Sequence, residues 1–345
     1  MRILITGNLG YVGTVMSEYL QRGGHFVRGF DAGYFAECAL EPVRPPDEQL
    51  AGDVRSFDAS ALGGIDAVVH LAGLSNDPLG ELDSGLTHDI NVGGTNRIAR
   101  AAKAAGIRRF VFASSCSLYG LADGAVALDE NCPQNALTAY ARSKVDGEAL
   151  LSQLADETFR PIFLRFSTAY GYSPRLRLDL VVNNLVGSAL ARGVVALESD
   201  GTPWRPLVHV QDMAQAVARA LESDLDRCGG QAFNIGNEAE NYQIITIATH
   251  VATHCGKLPI TAKPKSEAGD QRSYNVAFGK VRGAIPSFKT AWTLEAGIDD
   301  LLANLRRVGR TDVFDDGNYF RIRRIRALMQ NGGVDERLYA TAAAT

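Results

Sequence analysis

The stretch RILITGNLGYVG, residues 2–13, decides how the chain is expected to begin folding. RILIT is a short apolar run typical of a buried strand, and glycines follow at positions 7, 10 and 13. In such a turn Gly7 permits the tight reversal, Gly10 lets a pyrophosphate approach the backbone, and Gly13 lets a helix pack closely. The helix N-terminus then presents free N–H groups to the phosphates. The stretch therefore predicts a strand, a dinucleotide-binding turn and a helix.

An acidic residue follows at the spacing that distinguishes nicotinamide cofactors. The second predicted strand, HFVRGF (25–30), runs into Asp31, and no Arg or Lys follows within several residues. A carboxylate there accepts hydrogen bonds from the adenosine ribose and repels a 2′-phosphate, so we expect NAD rather than NADP. Asp53, in GDV after the third strand, is a candidate contact for the adenine edge.

Short apolar runs alternate with helical patterns through the first part of the chain. This alternation predicts a doubly wound, parallel α/β sheet of the Rossmann type, and fully apolar strands fit a sheet covered on both faces. The predicted strands are 2–6, 25–30, 48–53, 66–72, 108–113 and 160–166, and the helices lie near 11–22, 84–105 and 138–156.

After about residue 166 the alternation loosens into a mixed pattern. We expect residues 1–166 to form the dinucleotide-binding domain and residues 167–345 to form mainly a smaller α/β substrate lobe. Segments near 205–236 are expected to return to the first domain. The tail NYFRIRRIRALMQNGG, residues 318–333, has the amphipathic pattern of a packed terminal helix.

Composition excludes several classes of function. The chain has 345 residues, 46% hydrophobic and 21% charged, with a formal net charge of −4. Mild acidity without a basic tract argues against nucleic acid or an anionic membrane as partner. No apolar run reaches the roughly 18 residues of a membrane span, and the N-terminus lacks a signal-peptide pattern. Five cysteines without a CxxC pair favour a reducing cytoplasm over disulfides or a zinc ribbon.

A tyrosine and a lysine stand four residues apart in TAYARSK, residues 138–144. Tyr140 and Lys144 therefore share one face of the predicted helix. An ammonium group near a phenol favours the phenolate and prepares it to exchange a proton with a carbinol. The serine-rich segment FASSCSLYG, residues 112–120, ends the strand upstream and is expected to face this pair.

With these motifs the chain resembles the extended short-chain dehydrogenase/reductase family, in its nucleotide-sugar epimerase/dehydratase branch. The matching pieces are TGNLGYVG (6–13), Asp31, GDV (52–54), HLAG (70–73), NVGGT (91–95), SSCSLYG (114–120), YARSK (140–144), RPLVHVQD (205–212), FNIG (233–236) and DQRSYNV (270–276).

The resemblance implies roles for individual residues. Ser115, Tyr140 and Lys144 would be the catalytic set, with Asn91 completing the proton-relay region. Tyr140 would act as base or acid, Ser115 would hold the substrate oxygen, and Lys144 would bind the nicotinamide ribose. The implied NAD-binding residues are Gly7, Leu9, Gly10, Tyr11, Val12, Gly13, Asp31, Asp53, Val54, His70, Leu71, Ala72, Gly73, Asn91, Tyr140 and Lys144.

The second lobe resembles that of enzymes acting on nucleotide-diphosphate sugars. Arg205 and Arg272 fall where that branch binds the substrate pyrophosphate, a role suited to a planar bidentate donor, although each could instead form a surface salt bridge. Asn184 matches a diphosphate contact, with Asn183 as the alternative. Ser117 and Thr168 are further substrate candidates, and Thr168 replaces the asparagine usual in the family.

Two other signals are given less weight. His250 and His254 stand four apart on a predicted helix, but no third ligand is evident in the sequence, so we expect no metal. Cys116 lacks an evident base and is expected to be a packing residue rather than a nucleophile.

The residues after Ser115 narrow the expected reaction. The family's 4,6-dehydratases carry an Asp-Glu pair where this chain has Cys116 and Ser117, and neither can act as a carboxylic acid. The expected activity is therefore NAD-dependent epimerisation, at C4 through a 4-keto sugar. Reduction of a 4-keto-deoxysugar nucleotide by NADH or NADPH is the alternative, and a non-catalytic NAD-binding scaffold is a third reading. The resemblance also implies a homodimer through the helices near 84–105 and 138–156.

Overall fold

The computed structural model describes residues 1–75, 83–122, 126–264, 266 and 272–341. Its centre is a seven-stranded parallel sheet. The strands are β1 Arg2–Thr6, β2 Phe26–Asp31, β3 Glu48–Ala51, β4 Ala67–His70, β5 Arg109–Ser115, β7 Arg160–Phe166 and β11 Ala232–Ile235. From one edge to the other they lie in the order β3-β2-β1-β4-β5-β7-β11. The order reverses direction between β1 and β4, as in a Rossmann sheet. The predicted fold class is confirmed.

Helices cover both faces of this sheet. Ile3 and Ile5 pack into one apolar cluster and Leu4 into another, because successive side chains of a strand alternate between faces. The first cluster includes α1 (Tyr11–Arg22) and α6 (Val210–Glu222). The second lies under α2 (Ser84–His88), a π-helical turn (Asp89–Gly93), α3 (Gly94–Ala104) and α4 (Ala139–Leu154). The homodimer expected through α3 and α4, which pack side by side, stays a prediction.

A smaller lobe follows the sheet and has its own apolar cluster. Its strands are β8 Thr168–Tyr170, β9 Val195–Leu197, β10 Trp204–His209, β12 Asn241–Gln243 and β13 Ile260–Ala262, and a two-stranded pair joins β6 Ala127–Leu128 to β14 Asn275–Val276. The remaining α-helices are α5 Val181–Arg192, α7 Leu225–Cys228, α8 Ile244–His254, α9 Gly279–Ala284, α10 Leu294–Arg307 and α11 Arg321–Gln330. Short 3₁₀ turns span Val54–Ser56, Ala59–Leu62, Cys116–Tyr119, Glu238–Glu240, Val313–Asp315 and Gly317–Tyr319.

The segments near 205–236, which were expected to return to the first domain, contribute to both sheets. α6 packs on α1, and β11 joins the edge of the main sheet beside β7. β10 instead pairs with β8 and β12 in a separate three-stranded sheet. The strand RPLVHV therefore belongs to the lobe, because its backbone hydrogen bonds are satisfied there.

The glycine turn after β1 owes its shape to close backbone approach. Gly7 has φ of 77°, in the region that favours glycine. A Cβ on Gly13 would lie 2.2 Å from the Gly7 carbonyl oxygen and 2.6 Å from the Asn8 Cα. The start of α1 therefore packs directly on the turn, and any larger residue at position 13 separates them.

Within the described ranges, none of the helices is both long and apolar enough to cross a membrane.

Gly13→Ala is expected to lower the free energy of unfolding by about 1–3 kcal/mol, the usual cost of overpacking. The control is Gly283→Ala in α9, where an added Cβ meets nothing within 4 Å and should raise stability by up to about 1 kcal/mol. Urea denaturation followed by circular dichroism measures both. Equal stabilities for the two variants would contradict the close approach at Gly13.

Candidate active site

A cavity of about 940 Å³ lies where the carboxyl ends of the central strands meet the smaller lobe. Ligands bind at this edge of open α/β sheets because loops from several strands converge there. The glycine turn, the ends of β2, β4 and β5, the start of α4 and the lobe all line the cavity.

The first half of the cavity contains most residues predicted to bind a dinucleotide. Those that line it are Gly7, Gly10, Tyr11, Val12, Gly13, Asp31, Asp53, Val54, Leu71, Ala72 and Gly73. Leu9 does not line it, and its N–H instead donates to the Asp31 carboxylate at 3.0 Å. His70 does not line it either, because its ring is buried between the Thr6 hydroxyl (2.6 Å) and the Thr95 hydroxyl (2.9 Å).

The two acidic residues of this half are fixed by different partners. Asp31 accepts hydrogen bonds from the N–H groups of Leu9 and Gly33, and burial raises the pKa of its carboxyl. Asp53 is paired with Arg55, whose Nη2 lies 2.5 Å and whose Nε lies 2.9 Å from its oxygens. Both carboxylates are therefore held at defined positions on the cavity wall.

Ser115, Tyr140 and Lys144 line the opposite half of the same cavity. The Thr138 hydroxyl accepts from the Ala141 N–H at 3.2 Å and starts α4, which places Tyr140 in the first helical turn. Lys144 lies one turn further on, with Nζ 5.6 Å from the Tyr140 ring centroid and 4.8 Å from that of Phe112. Burial lowers the pKa of the Lys144 ammonium to about 8.

Asn91, predicted to complete the proton relay, lies behind the cavity wall. Its side chain accepts from the Leu74 N–H at 2.8 Å and donates to the Leu74 carbonyl at 3.0 Å and the Ser143 hydroxyl at 2.9 Å. These bonds join the loop after β4 to α4. Asn91 therefore positions the wall on which Lys144 stands and does not itself face the cavity.

Most of the predicted substrate residues also reach the cavity. Ser117, Thr168, Arg205 and Arg272 line it. Arg205 is buried, and its Nη1 donates to the carbonyl oxygens of Trp204 and Arg272, which brings the two arginines together. Asp270 and Gln271 of the DQRSYNV motif lie outside the described residues.

Neither asparagine of α5 lines the cavity. The Asn184 amide donates to the Leu178 carbonyl at 2.9 Å, and Asn183 binds the Gly171 N–H at 2.9 Å and the Arg177 carbonyl at 3.0 Å. Both side chains satisfy the backbone that leads into α5. The cavity instead meets Leu180 and Val181, where α5 begins without a side-chain cap and leaves N–H groups free for an anion.

Comparison with known proteins identifies the family. A family model described as "NAD dependent epimerase/dehydratase family" matches residues 3–236. The chain belongs to this NAD-dependent epimerase/dehydratase family. UDP-glucose 4-epimerase of Bacillus subtilis is 25% identical over 335 residues, covering 88% of this chain and 95% of that protein. UDP-glucose 4-epimerase of Mycolicibacterium smegmatis is 30% identical over 254 residues, 70% of this chain and 78% of that protein.

Solved structures agree with this family assignment. The structure of MoeE5 in complex with UDP-glucuronic acid and NAD superposes with a TM-score of 0.77 at 27% identity, covering 89% of this chain and 99% of that chain. A UDP-glucose 4-epimerase from Thermus thermophilus in complex with NAD has the same fold, with a TM-score of 0.73 at 23% identity, covering 90% of this chain and 99% of that chain.

As a member of this family the enzyme uses NAD. The residues that line the cavity fit that cofactor. The Gly10 and Gly13 positions leave a cradle beside the turn, because a Cβ at Gly10 would lie 3.3 Å from the Gly7 carbonyl oxygen. Asp31 stands at the end of β2 where an adenosine ribose is recognised. When bound, NAD accepts or returns a hydride.

Two arginines that the motifs did not single out also line the cavity. Arg177 donates to Asp179 (3.3 Å) and to the Ser75 hydroxyl (3.1 Å). Arg321 opens α11 near the far end of the chain and is 3% exposed. Sequence patterns gave no signal for either, because an arginine in a polar loop or a basic tail looks like a surface residue.

Cys116 is a packing residue. Its thiol is fully buried, points toward the Arg165 carbonyl at 3.2 Å, and does not line the cavity. Burial raises the pKa of the Cys116 thiol to about 12, so it is not available as a nucleophile at neutral pH.

The two helix histidines gain partners that the sequence did not reveal. Glu295 of α10 lies 3.3 Å from the His250 Nδ1, and Asp299 lies 2.6 Å from the His254 Nδ1. Both carboxylates are more than half exposed. These two side-chain contacts join α8 to α10, away from the residues that line the cavity. The expectation of no metal stays a prediction.

A buried ion pair lies beneath Ser115 and the start of α4. The Arg165 Nη2 is 2.7 Å from Glu148, whose other oxygen accepts from the Ser114 hydroxyl at 2.5 Å. The Arg165 Nη1 donates to the Tyr119 hydroxyl at 3.1 Å, and Tyr119 donates to Asn234 at 2.8 Å. The network connects α4, β5, β7 and β11 directly behind Ser115.

Glu148→Gln is expected to lower the free energy of unfolding by about 3–5 kcal/mol, because it leaves the buried Arg165 without a counter-charge. The control is Glu222→Gln, which breaks the exposed Arg219–Glu222 pair and should cost no more than about 1 kcal/mol. Urea denaturation at neutral pH measures both. Similar losses in the two variants would contradict the role of the network.

Lys144→Met is expected to leave the cofactor-free enzyme at least as stable as the wild type at pH 7. The folded pKa near 8 lies below the usual 10.5, so the unfolded chain binds the proton more tightly. Below pH 8 the buried Lys144 ammonium is charged, and the wild type is destabilised by the full cost of burying that charge. As the pH rises from 8 toward 10.5 this cost is lost and the free energy of unfolding increases. Denaturation between pH 7 and 10.5 measures this, with the exposed Lys289→Met as control. A variant less stable than the wild type at pH 7 would refute it.

Proposed function

We propose that the enzyme is an NAD-dependent nucleotide-sugar 4-epimerase that works through a transient 4-keto sugar. The observation that carries the proposal is the set Ser115, Tyr140 and Lys144 on one wall of the cofactor cavity, without a carboxylic acid at the two following loop positions. Cys116 is buried with its thiol turned away, and Ser117 is a hydroxyl. Hydride transfer is therefore supported, and elimination of the C6 hydroxyl is not.

Each catalytic side chain has a separate task. Tyr140 takes the proton of the C4 hydroxyl and later returns it, as a general base and then acid. Ser115 holds that oxygen within reach, and its own Oγ is oriented by the Ser117 N–H at 3.1 Å. Lys144 keeps a positive charge beside the phenol and favours its ionised form.

The lobe supplies the groups expected to hold the substrate diphosphate. Arg205 and Arg272 lie together at the cavity, and the uncapped start of α5 adds backbone N–H groups. Anchoring the diphosphate leaves the sugar as the part free to rotate. Rotation of the 4-keto sugar is what allows hydride to return to the opposite face.

The nucleotide is inferred from the relatives. UDP-glucose 4-epimerases and MoeE5, crystallised with UDP-glucuronic acid, both act on or bind UDP-sugars by their names. UDP-hexoses and UDP-hexuronic acids are therefore the first substrates to test, followed by the TDP-, GDP- and CDP-sugars.

The deciding experiment is incubation of purified enzyme with UDP-sugars in D₂O, without added cofactor, and NMR of the product. A 4-epimerase returns the same hydride, so we expect inversion at C4 and no carbon-bound deuterium. Deuterium at C3 or C5 would contradict the mechanism, because it requires removal of a carbon-bound proton. Absence of C4 inversion, together with NADH oxidation when a 4-keto-deoxysugar nucleotide is supplied, would identify the ketoreductase instead.

Tyr140→Phe is expected to lower kcat by on the order of 10²–10⁴, the usual contribution of a general acid or base. The NAD content should stay similar, because the ring remains in place. The control is Tyr242→Phe, which removes a phenol hydroxyl outside the cavity and should leave kcat unchanged. Wild-type turnover by Tyr140→Phe would remove Tyr140 from the mechanism.

A further inference from the structure

The end of the chain lies against the adenosine half of the cofactor cavity. Residues 317–341, here called the C-terminal strap, comprise a 3₁₀ turn, α11 and a closing turn in which Val334 bridges to Ala340. The strap lies outside residues 3–236, the stretch matched by the family model. The match to the family model therefore does not by itself imply the contacts of the strap.

The strap holds the loop that follows Asp31. The Tyr34 hydroxyl donates to the Leu338 carbonyl, and the Arg324 Nε donates to the Tyr34 carbonyl at 3.2 Å. Arg324 also pairs with Glu37 at 2.9 Å. Tyr34 and its neighbour Phe35 line the cavity, so the strap fixes part of its wall.

The strap also contacts Arg55, which is paired with Asp53, the candidate contact for the adenine edge. The Arg55 Nη1 donates to the Arg337 carbonyl at 2.7 Å, and the guanidinium stacks 3.6 Å over the Tyr339 ring. Arg55 is the residue that binds Asp53 through two guanidinium nitrogens. The position of the Asp53 carboxylate thus depends on a contact with the strap.

Apolar packing attaches the strap to the main sheet. Ile325, Val334 and Leu338 are buried in the same cluster as Phe30 and Val54. Because these side chains belong to a core of the first domain, the strap is part of the folded unit and not a loose tail.

Arg321 is the strap residue that lines the cavity. It lines the cavity at 3% exposure, and its guanidinium stacks 4.1 Å over the Phe35 ring. Its Nη2 makes one long bond, 3.4 Å, to the Arg175 carbonyl, and its Nη1 has no hydrogen-bond partner.

The charge of Arg321 has no direct counter-ion in the part of the chain that the structure describes. Asp179 is nearby, but its Oδ2 accepts from the Arg177 Nε and from the backbone N–H of Arg321, not from the Arg321 guanidinium. Burial and the charge of Arg177 lower the pKa of Arg321 to about 10, which still leaves it charged at neutral pH. The carboxylates of Asp179 and Asp31 offset this buried charge only at longer range. An anion bound beside the guanidinium would offset the charge directly.

We propose that the C-terminal strap is part of the NAD site, with Arg321 as the counter-charge for the cofactor's pyrophosphate and the strap as the outer wall of the adenosine half. The glycine turn, which faces the same cavity, is the other phosphate-binding element. The inference rests on the NAD dependence of the family and deepens the proposed function. An epimerase must keep one cofactor through both hydride transfers, and the strap opposes its release.

The test compares Arg321→Met, Arg321→Lys and Arg326→Met. Arg326 is exposed on the same helix and serves as the matched control. Calorimetry measures the Kd of NAD⁺ and of ADP-ribose, and NMR titration measures that of adenosine, which has no phosphate. A charge-assisted contact predicts a loss of about 10- to 100-fold for NAD⁺ and ADP-ribose in Arg321→Met, and no loss for adenosine. Arg321→Lys should recover part of the loss, and Arg326→Met should match the wild type.

Unchanged affinity of Arg321→Met for NAD⁺ would overturn the proposal, and so would an equal loss for adenosine, which would indicate a purely structural role. If Arg321→Met does not fold, hydrogen–deuterium exchange of the wild type decides. The proposal expects slower exchange of the amides of residues 321–341 when NAD⁺ is added, and no change there would overturn it.

These binding measurements separate the strap from the proposed reaction. If the enzyme inverts no sugar at C4 but Arg321→Met shows the expected loss of NAD⁺ affinity, the strap proposal holds and the epimerase proposal fails. If the enzyme is a C4 epimerase but Arg321→Met binds NAD⁺ normally, the epimerase proposal holds and the strap proposal fails.

Discussion

The ion pair between Arg165 and Glu148 joins the elements on which the active site depends. Arg165 lies on β7, Glu148 on α4, and the Ser114 hydroxyl on β5 binds the same carboxylate. Ser115 follows Ser114 directly, and Lys144 is one helical turn before Glu148. The buried ion pair therefore fixes the distance between the serine loop and α4, because burial makes its two charges costly to separate.

The cofactor half of the cavity depends on a different constraint, the closeness of the backbone at Gly7 and Gly13. This approach brings the start of α1 to the phosphate position with its N–H groups free. The adenosine side is built from further away, because Asp53 is held by Arg55, which contacts the C-terminal strap. One wall thus comes from the first residues of the chain and the facing wall from the last.

The proposed hydride chemistry depends on the absence of a carboxylic acid after Ser115 as much as on the presence of Tyr140 and Lys144. Cys116 packs into the core, and Ser117 offers only a hydroxyl, so the loop has no acid to expel a leaving group. Lys144 is buried at a cost to the fold, and its lowered pKa reflects that cost. A group that destabilises the protein and faces the cofactor cavity is typical of a functional residue.

The sequence by itself determined the order of strands and helices, the glycine turn, Asp31, and the pairing of Tyr140 with Lys144. These features depend on local periodicity, on backbone freedom at glycine and on spacing along one helix, all of which can be read from neighbouring residues. Only the tertiary structure decided that Asn91 braces a loop, that Asn184 binds backbone, and that Arg321 reaches the cavity. Those outcomes depend on which distant groups burial brings together, and no local pattern encodes the partner of a buried side chain.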